Sequence, residues 1–380
     1  MISPQKFVEA LHEINIHFVT GVPDSLLKEV CACITASLDN NQHIIASNEG
    51  AAIALAIGHY LGSQSPSLVY MQNSGMGNTI NPLASLADKA IYSIPMILMI
   101  GWRGEILDDG SQLQDEPQHV KQGEITLELL KTMEIPYQII DKNSNDISSI
   151  LANAKEETVR RQSPVAIVVR KGTFEDFKSG EFCYVQDYEL AREQAIEITL
   201  ELLPEGSPIV STTGMISREL YELRQLKSTS KLLDFLTVGG MGHASSIAAG
   251  ICIARPNEKV ICIDGDGALL MHSGALSNTS NQDNLLHILL NNEAHDSVGG
   301  QPTKGNEINF HSLAKTFGYK NTFLCFSKED IEKSIIQALN TKGSTFIEIK
   351  CRKGFRQDLG RPQTSPLENK LNFLKSMHKL

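Results

Sequence analysis

The chain has 380 residues, more than one typical hydrophobic core holds and enough for two domains. Its composition is that of an ordinary globular protein, with 41% hydrophobic and 21% charged residues. The net charge of −10 and the lack of a long basic run argue against a nucleic-acid binder. A local cluster of donor groups would therefore be needed to bind an anionic small molecule.

The seven cysteines are scattered and none forms a CxxC pair, which is typical of reduced thiols in a cytosolic protein. The first residues, MISPQKFVEALHE, predict a capped amphipathic helix rather than a targeting segment. The longest apolar runs, such as IPMILMI at 94–100, have the length of strands, so we expect no membrane span. A cytoplasmic location is expected from these features.

Short apolar runs rich in β-branched residues alternate with helical patterns along the whole chain. Unbroken apolar strands that alternate with helices indicate parallel sheets covered on both faces. We therefore predict an α/β fold with two doubly wound parallel-sheet domains. The predicted strands are HFVTG (17–21), HIIAS (43–47), SLVYMQ (67–72), PMILMIG (95–101), YQII (137–140), VAIVVR (165–170), PIVST (208–212), LLDFL (232–236), VICID (260–264), LLHILLN (285–291) and FIEIK (346–350).

The polar stretch KGTFEDFKSGEFCYVQDYE at 171–189 is the predicted linker. It separates a domain of residues 1–175 from one of residues 190–380, and no sequence repeat between them is evident. In open parallel sheets, ligands bind beyond the carboxyl ends of the strands. Polar or glycine-rich segments follow many of the predicted strands, which suggests one site shared by two sheet edges: GVPDS, SNEGAA, QNSGMGN, GWRGE, TTGMIS, TVGGMGH, DGDGA and NNEAHDSVGGQPT.

The strand KVICID ends in GDG at 265–267, an aspartate between two glycines. Glycines after a strand let the backbone approach a phosphate, but an aspartate repels a phosphate unless a divalent cation lies between them. Asn291 and Asn292 come about one βα unit later and return to the same sheet edge. Their amide oxygens and the carboxylate of Asp266 suit Mg²⁺, while the backbone N–H groups after Asp266 can contact phosphates directly. The alternative is an ordinary turn in which Asn292 caps a helix.

GDG followed by NN resembles the thiamine diphosphate motif of the thiamine diphosphate-dependent 2-oxo acid decarboxylases. The other strand-end segments resemble those of family members that act on phosphonopyruvate and occur in the same order. The same is true of WRGE, DEPQHVKQG and GHASS. Members that act on sulfopyruvate are the next relatives, and the resemblance covers nearly the whole chain. It implies thiamine diphosphate and Mg²⁺ as cofactors, with a pyrimidine-binding domain followed by a diphosphate-binding domain. It further implies Asp266, the Asn292 side chain and the backbone carbonyl of Ala294 as metal ligands.

The resemblance also implies roles for residues in the loops. Glu49, at the start of a predicted helix, would hydrogen-bond N1′ of the aminopyrimidine and promote ylide formation; an ordinary helix-start carboxylate is the alternative. Met241, flanked by glycines, would hold the cofactor in its bent conformation, unless it only fills the core. The predicted cofactor-binding residues are Glu49, Asn73, Thr213, Gly239, Met241, Gly265, Asp266, Gly267, Ala268 and Asn292.

Five further residues are candidates for proton transfer and substrate binding. Asp24 in GVPDS and His119 in DEPQH are predicted to move protons, because both lie in site loops and histidine titrates near neutral pH. Arg103 follows the only tryptophan in a glycine-rich turn and offers a planar fork for an oxyanion. Lys304 and Lys121 are the other candidate cations, with an ordinary surface position as the alternative.

The implied reaction is the non-oxidative decarboxylation of 3-phosphonopyruvate to phosphonoacetaldehyde and CO₂, through an ylide and an enamine, in phosphonate biosynthesis. Sulfopyruvate decarboxylation and carboligation are alternatives. Fusion of both domains in one chain favours phosphonopyruvate, because sulfopyruvate enzymes often divide them between subunits. A protein that only binds the cofactor fits poorly with the presence of Glu49 and Asp266, and the GxGxxG fingerprint of a dinucleotide binder is missing.

The expected partners are a small 2-oxo acid bearing a phosphonate and further copies of the same chain. The resemblance implies a homodimer or higher homo-oligomer with shared active sites, and neither nucleic acid nor a membrane is expected.

One departure from the family pattern is Glu293, which places a negative charge in the turn beside the predicted metal. We expect its side chain to point to solvent.

Overall fold

The computed structural model describes residues 1–177, 188–226 and 233–378. The chain divides into two compact units, Met1–Cys183 and Tyr184–Leu380. Each unit contains a six-stranded sheet in which all neighbouring strands are parallel. The predicted α/β fold with two doubly wound parallel sheets is confirmed. Residues 178–187 of the predicted linker lie outside the described residues.

In the first unit the strands lie side by side in the order β2-β1-β3-β4-β6-β5. A helix separates successive strands along the chain, as parallel pairing requires. The strands are β1 (Val19–Gly21), β2 (His43–Ile45), β3 (Ser67–Gln72), β4 (Met96–Gly101), β5 (Tyr137–Ile140) and β6 (Val165–Val169). The helices are α1 (Pro4–Glu13), α2 (Lys28–Ser37), α3 (Glu49–Ser63), α4 (Met76–Pro82), α5 (Pro117–Thr132) and α6 (Ile147–Arg161).

In the second unit the order is β11-β12-β10-β9-β7-β8, which is the order of the first unit read from the opposite edge. The two halves therefore share one topology although their sequences show no evident repeat. The strands are β7 (Ile209–Ser211), β8 (Asp234–Leu236), β9 (Val260–Gly265), β10 (Leu285–Asn291), β11 (Asn321–Cys325) and β12 (Thr345–Lys350). The helices are α7 (Arg192–Leu202), α8 (Met215–Leu226), α9 (Ala244–Ala254), α10 (Asp266–Met271), α11 (Leu276–Thr279), α12 (Phe310–Thr316), α13 (Lys328–Asn340) and α14 (Pro366–His378).

Strand β4 shows why the strands read as unbroken apolar runs. Ile97 and Met99 pack into the core on one face of the first sheet, and Met96, Leu98 and Ile100 pack into the core on the other face. Burying each of these side chains contributes about 1.5–3 kcal/mol to folding, so both faces favour apolar residues. The central strand β9 of the second sheet is divided between two cores in the same way.

Strand β11 was not predicted from the sequence. It lies at the edge of the second sheet and pairs only with β12, and four of its five side chains, Asn321 to Leu324, are half-buried. An edge strand that is only partly covered has little need of an apolar run. The periodic signal that marks the central strands is therefore weak here.

The helix ends follow local capping chemistry. The Ser3 side chain accepts a hydrogen bond from the Lys6 backbone N–H at 3.4 Å and Pro4 begins α1, which confirms the predicted capped start. Asn48 caps α3 by accepting from the Ala51 N–H at 2.8 Å, and this cap sets the position of Glu49 as the first helical residue.

Among the described residues, none of the helices combines the length and apolar character needed to cross a membrane.

Candidate active site

Asp24, Arg103 and His119 lie close together at the carboxyl edge of the first sheet. Asp24 follows β1, Arg103 follows β4 and His119 lies in the first turn of α5. The positive charge of Arg103 lowers the pKa of both Asp24 and His119, which it can do only at short range. Parallel pairing thus brings together three residues that are up to 95 positions apart in sequence, from 24 to 119.

Asp24 is fully buried, and neither of its carboxylate oxygens accepts a hydrogen bond of normal geometry from another described residue. Burial raises the pKa of Asp24 to about 6, against the lowering effect of the nearby backbone N–H groups and Arg103. A methyl group at Gly101 would overlap the Asp24 carboxylate, so only glycine fits at that point of β4. Asp24 is therefore a carboxyl group that can gain or lose a proton near neutral pH.

His119 is buried, and its Nδ1 has no hydrogen-bond partner in the part of the chain that the structure describes. Burial lowers the pKa of His119, and the charge of Arg103 lowers it further. The imidazole is therefore neutral at pH 7 and can accept a proton. The backbone in front of it is also constrained, because a methyl group at Gly104 would overlap the His119 carbonyl and Gly104 has a φ of 63°.

Arg103 is held by two neighbouring loops. Its Nε donates to one oxygen of Asp115 at 2.7 Å, and one terminal nitrogen donates to the other oxygen of Asp115. The second terminal nitrogen donates to the Ser25 hydroxyl at 2.8 Å. Three of its five N–H groups are thus engaged, and among the described residues the other two have no partner. A cleft of about 330 Å³ lies beside this group and is lined in part by Ser25, Trp102, Arg103 and Asp115.

The two candidate lysines have different surroundings. Lys121 pairs with Glu124 on α5, and Lys304 pairs with Glu307 at 2.7 Å. Their side chains are 77% and 61% exposed, respectively, which is typical of solvated surface ion pairs. Of the two cations predicted in the first unit, Arg103 is therefore better placed than Lys121 to bind an anionic substrate.

Glu49 is buried at the start of α3, beside the positive end of the helix dipole. Its carboxylate accepts a hydrogen bond from the Asn78 amide at 2.7 Å. A methyl group at Gly75 would overlap the same carboxylate. Asn78 was not predicted as a site residue, although it is the last residue of the QNSGMGN segment that was singled out after β3.

Asn73 ties the segment after β3 to the segment after β4. Its amide nitrogen donates to the Arg103 carbonyl and to the Thr126 hydroxyl, both at 2.9 Å, and its amide oxygen accepts from the Arg103 N–H at 3.2 Å. Both ends of the amide are used within the unit. Asn73 thus helps to place Arg103, and its predicted contact with the cofactor stays a prediction.

In the second unit, two predicted cofactor residues are in direct contact. The Thr213 hydroxyl accepts from the Gly239 N–H at 3.0 Å, which joins the loop after β7 to the loop after β8. The glycines around Met241 have φ values of 66°, 56° and 89°, a conformation that other residues rarely adopt. Met241 is half-buried at the tip of this loop.

Asp266 is buried at the start of α10, and its carboxylate accepts a hydrogen bond from the Thr303 hydroxyl. Burial raises the pKa of Asp266 to about 7, and the negative charge of Asp296 adds to this effect. A methyl group at Gly305 would overlap both the Asp266 carboxylate and the Asn291 amide oxygen. Thr303 was not predicted, but it ends the SVGGQPT segment, and Gly305 follows two residues later.

The other residues of the GDG segment are constrained by close contacts. The Gly265 N–H donates to the Asp264 side chain at 2.9 Å. A methyl group at Gly267 would lie 2.9 Å from the His295 ring, so this position also requires glycine. Ala268 is buried in α10.

Asn292 and Ala294 lie in a closed turn after β10. The Asn292 amide nitrogen donates to Asp296 at 2.6 Å, and the Ala294 N–H contacts the Asn292 amide oxygen at 3.4 Å. Ala294 also pairs with Pro302 in an isolated antiparallel bridge. The segment from NN to QPT therefore folds back on itself and brings Thr303 to Asp266.

The expectation that Glu293 points to solvent is wrong. Its side chain is only 7% exposed, accepts a hydrogen bond from the Tyr188 hydroxyl at 2.6 Å, and pairs with Lys350 at 3.4 Å. Lys350 also pairs with buried Glu348 at 3.4 Å. A buried carboxylate is tolerated where a cation and a hydroxyl offset its desolvation. Neither partner could be identified from the local sequence of the turn.

The donor set around Asp266 fits a divalent cation bound to a diphosphate. Among the described residues, Asp266 has no lysine or arginine partner, and its desolvated carboxylate lies near the amide oxygen of Asn291, since a methyl group at Gly305 would meet both. Carboxylate and amide oxygens are the ligands that Mg²⁺ prefers, and its remaining positions are taken by water or phosphate oxygens. In α/β folds, ligands bind at this end of the strands, so the position of these donors is that of a ligand-binding site.

Comparison with known proteins identifies that cofactor class. Residues 4–126 match the family described as "Thiamine pyrophosphate enzyme, N-terminal TPP binding domain". Residues 212–349 match "Thiamine pyrophosphate enzyme, C-terminal TPP binding domain". The two matches fall in the first and the second unit, respectively.

The relatives define the family more narrowly. The chain is 31% identical to a phosphonopyruvate decarboxylase of Streptomyces viridochromogenes, over 97% of this chain and 93% of the relative. It is 30% identical to a phosphonopyruvate decarboxylase of Streptomyces hygroscopicus, over 97% and 92%. The chain belongs to the family of thiamine pyrophosphate-dependent decarboxylases.

A third relative corrects one argument from the sequence. A sulfopyruvate decarboxylase of Methanosarcina acetivorans is 25% identical over 93% of this chain and 92% of its own length. Both halves are thus fused in a protein of that name as well. Other sulfopyruvate decarboxylases, such as that of Methanococcus maripaludis, are divided into an alpha and a beta subunit, as expected, so fusion of the domains is evidence for phosphonopyruvate but does not decide the substrate.

We predict that Asp24→Asn stabilises the protein more at pH 8 than at pH 5. The folded protein binds the Asp24 proton more tightly than the unfolded chain, with a pKa of about 6 against 3.8. Stability is therefore lost as the pH rises between these values, in total by about 3 kcal/mol. Asparagine carries no such penalty. Thermal unfolding of both proteins at pH 5 and pH 8 checks this, and a difference in melting temperature that does not change with pH would contradict it.

Proposed function

We propose that this protein decarboxylates 3-phosphonopyruvate to phosphonoacetaldehyde and CO₂, with thiamine diphosphate and Mg²⁺ as cofactors, in phosphonate biosynthesis. The observation that carries the substrate is the match over 97% of the chain to two proteins named phosphonopyruvate decarboxylase, at 31% and 30% identity. The protein named sulfopyruvate decarboxylase is 25% identical. Sulfopyruvate is therefore the second candidate substrate.

The residues of the first unit support this chemistry. When bound, thiamine diphosphate supplies a nucleophilic carbon and an electron sink, which the loss of CO₂ from a 2-oxo acid requires. Glu49 would hold N1′ of the aminopyrimidine, with Asn78 orienting its carboxylate. Each CO₂ released is replaced by one proton in the aldehyde. Asp24 holds a proton that it can give up near neutral pH, and neutral His119 can accept one.

The residues of the second unit support cofactor and metal binding. Asp266, Asn292 and the Ala294 carbonyl would hold Mg²⁺, and the N–H groups of Gly267 and Ala268 would contact the diphosphate. Met241 would support the cofactor from the loop that Thr213 fastens. In this proposal the first unit binds the pyrimidine end and the second unit binds the diphosphate end.

Arg103 is the proposed ligand of the phosphonate or carboxylate of the substrate. Asp115 fixes its orientation and offsets its charge, so Arg103 acts mainly as an oriented donor with two N–H groups to offer. A planar guanidinium fits an oxyanion better than an ammonium group does. The exposed Lys121 and Lys304 are the weaker candidates.

The first prediction from this proposal is substrate preference. With thiamine diphosphate and Mg²⁺, the purified protein releases CO₂ from phosphonopyruvate faster than from sulfopyruvate or pyruvate, and Glu49→Gln lowers the rate at least 100-fold. CO₂ release and aldehyde formation are both measured. Glu9→Gln is the control, since Glu9 is an exposed residue on α1.

Each outcome of that assay decides one part of the proposal. Preference for sulfopyruvate would keep the reaction type and change the substrate. Consumption of added acetaldehyde to form a larger product would indicate a carboligase. No CO₂ from any of the three acids, with cofactor bound, would overturn the proposed activity.

The second prediction concerns Arg103. Arg103→Ala raises KM for phosphonopyruvate about 10- to 100-fold, because two charge-assisted hydrogen bonds worth roughly 1.5–3 kcal/mol are lost. Affinity for thiamine diphosphate stays within about twofold. Arg103→Lys keeps the charge but not the fork and gives an intermediate KM. Steady-state kinetics and cofactor titration measure both quantities.

Lys121→Ala and Lys304→Ala are the comparisons for Arg103. We expect neither to change KM, because both lysines are exposed and already paired. An unchanged KM in Arg103→Ala together with a raised KM in one lysine variant would transfer the phosphonate-binding role to that lysine.

We also propose a homodimer or higher homo-oligomer with shared active sites. Sedimentation velocity of the enzyme with its cofactors checks this, and activity in a monomeric fraction would contradict it. The cytoplasmic location expected from the reduced cysteines stays a prediction.

A further inference from the structure

The orientation of Asn292 is determined by a residue that the sequence did not single out. The Asn292 amide nitrogen donates to Asp296 Oδ2 at 2.6 Å. Because the nitrogen and the oxygen are the two separate branches of the planar amide, a bond from the nitrogen to Asp296 directs the oxygen to the other side of the group. A free asparagine could present either group to a cation, and only the oxygen can ligate it.

Asp296 is in turn held by two other segments. Arg192, the first residue of α7, donates to the same Asp296 oxygen at 2.8 Å, and the Gly354 N–H donates to it at 3.1 Å. The side chains of Arg192 and Asp296 are 4% and 5% exposed. One carboxylate oxygen thus accepts three hydrogen bonds in a setting that excludes water, where such bonds are strong and directional.

Arg192 has a second buried partner that keeps it in place. Its Nε and one terminal nitrogen donate to the two oxygens of Glu219 on α8, both at 2.8 Å. The burial cost of Arg192 is therefore offset by Glu219 even without Asp296. Loss of Asp296 would leave a paired Arg192–Glu219, so the unit can remain folded.

The charges of this group also act on the metal site. Arg192, Glu219 and Asp296 together carry one net negative charge, and the Asn292 amide contacts the Asp296 carboxylate. A divalent cation beside Asp266 would be attracted by both carboxylates. Residues behind metal ligands that orient them in this way commonly change metal affinity 10- to 100-fold when they are replaced.

We propose that Asp296, held by Arg192, is a positioning residue that fixes the Asn292 amide with its oxygen available to the metal ion. This inference rests on the proposed metal site. Asp296 acts through Asn292. Its removal should weaken metal binding.

The Arg224–Asp234 pair offers a matched control in the same unit. Asp234 is also buried, and Arg224 donates to its two oxygens at 3.0 and 3.1 Å. It has no contact with Asn292, Asp266 or Thr303. Asp296→Ala and Asp234→Ala therefore remove the same group from two comparable ion pairs, of which only one touches a proposed metal ligand.

The test measures Mn²⁺ binding by electron paramagnetic resonance in the presence of thiamine diphosphate. Asp296→Ala should raise the Kd for Mn²⁺ about 10- to 100-fold, and Asp234→Ala should change it less than about threefold. The Mg²⁺ concentration for half-maximal activity should rise in parallel. Asp296→Asn removes the charge with little change in volume and serves if the alanine variant does not fold.

An unchanged Kd in both Asp296 variants would overturn the inference. Equal weakening in Asp296→Ala and Asp234→Ala would also overturn it, because it would reflect general loss of stability. If the unmodified protein binds no Mn²⁺ with thiamine diphosphate, the proposed metal site itself fails, which is a separate result from an unchanged Kd in a protein that does bind it.

Discussion

Parallel pairing of strands that are buried on both faces is the constraint on which the rest of each unit depends. It places the carboxyl ends of all six strands at one edge, so the segment after each strand meets its neighbours there. In the first unit this edge collects Asp24, Glu49, Asn73 and Arg103. In the second unit it collects the Thr213 and Met241 loops, the GDG segment and the NN turn. The chemistry of each unit is concentrated where the sheet ends.

Buried carboxylates at these edges fall into two groups, and the difference is informative. Asp115, Glu293 and Asp296 each have an arginine or lysine partner that offsets the cost of burial. Asp24, Glu49 and Asp266 have no ion-pair partner among the described residues, and burial raises the pKa of Asp24 and of Asp266 toward neutrality. Carboxylates left in this state are costly unless a ligand or a reaction uses them. The structure therefore separates groups that hold the site in place from groups that are available for chemistry.

Much of this could be read from the sequence because the relevant signals are local. The unbroken apolar runs identified eleven of the twelve strands, and the missing one, β11, is a partly covered edge strand. The GDG and NN segments indicated a metal and a phosphate from the residue types alone, and the resemblance added thiamine. The capped helix start in MISPQKFVEALHE and the helix start at Glu49 were predicted correctly, since a helix start depends on neighbours a few residues apart.

The amino-acid sequence by itself determined the fold class, the strand-end segments and the family, because each depends on residues close together along the chain. Only the tertiary structure decided which groups are paired. Arg103 with Asp115, Glu293 with Lys350, and Asp296 with Arg192 join residues 12, 57 and 104 positions apart. The cost of burying a charge depends on what lies around it in space. No local pattern could show that Glu293 is buried, or that Asp24, Glu49 and Asp266 have no cation partner among the described residues.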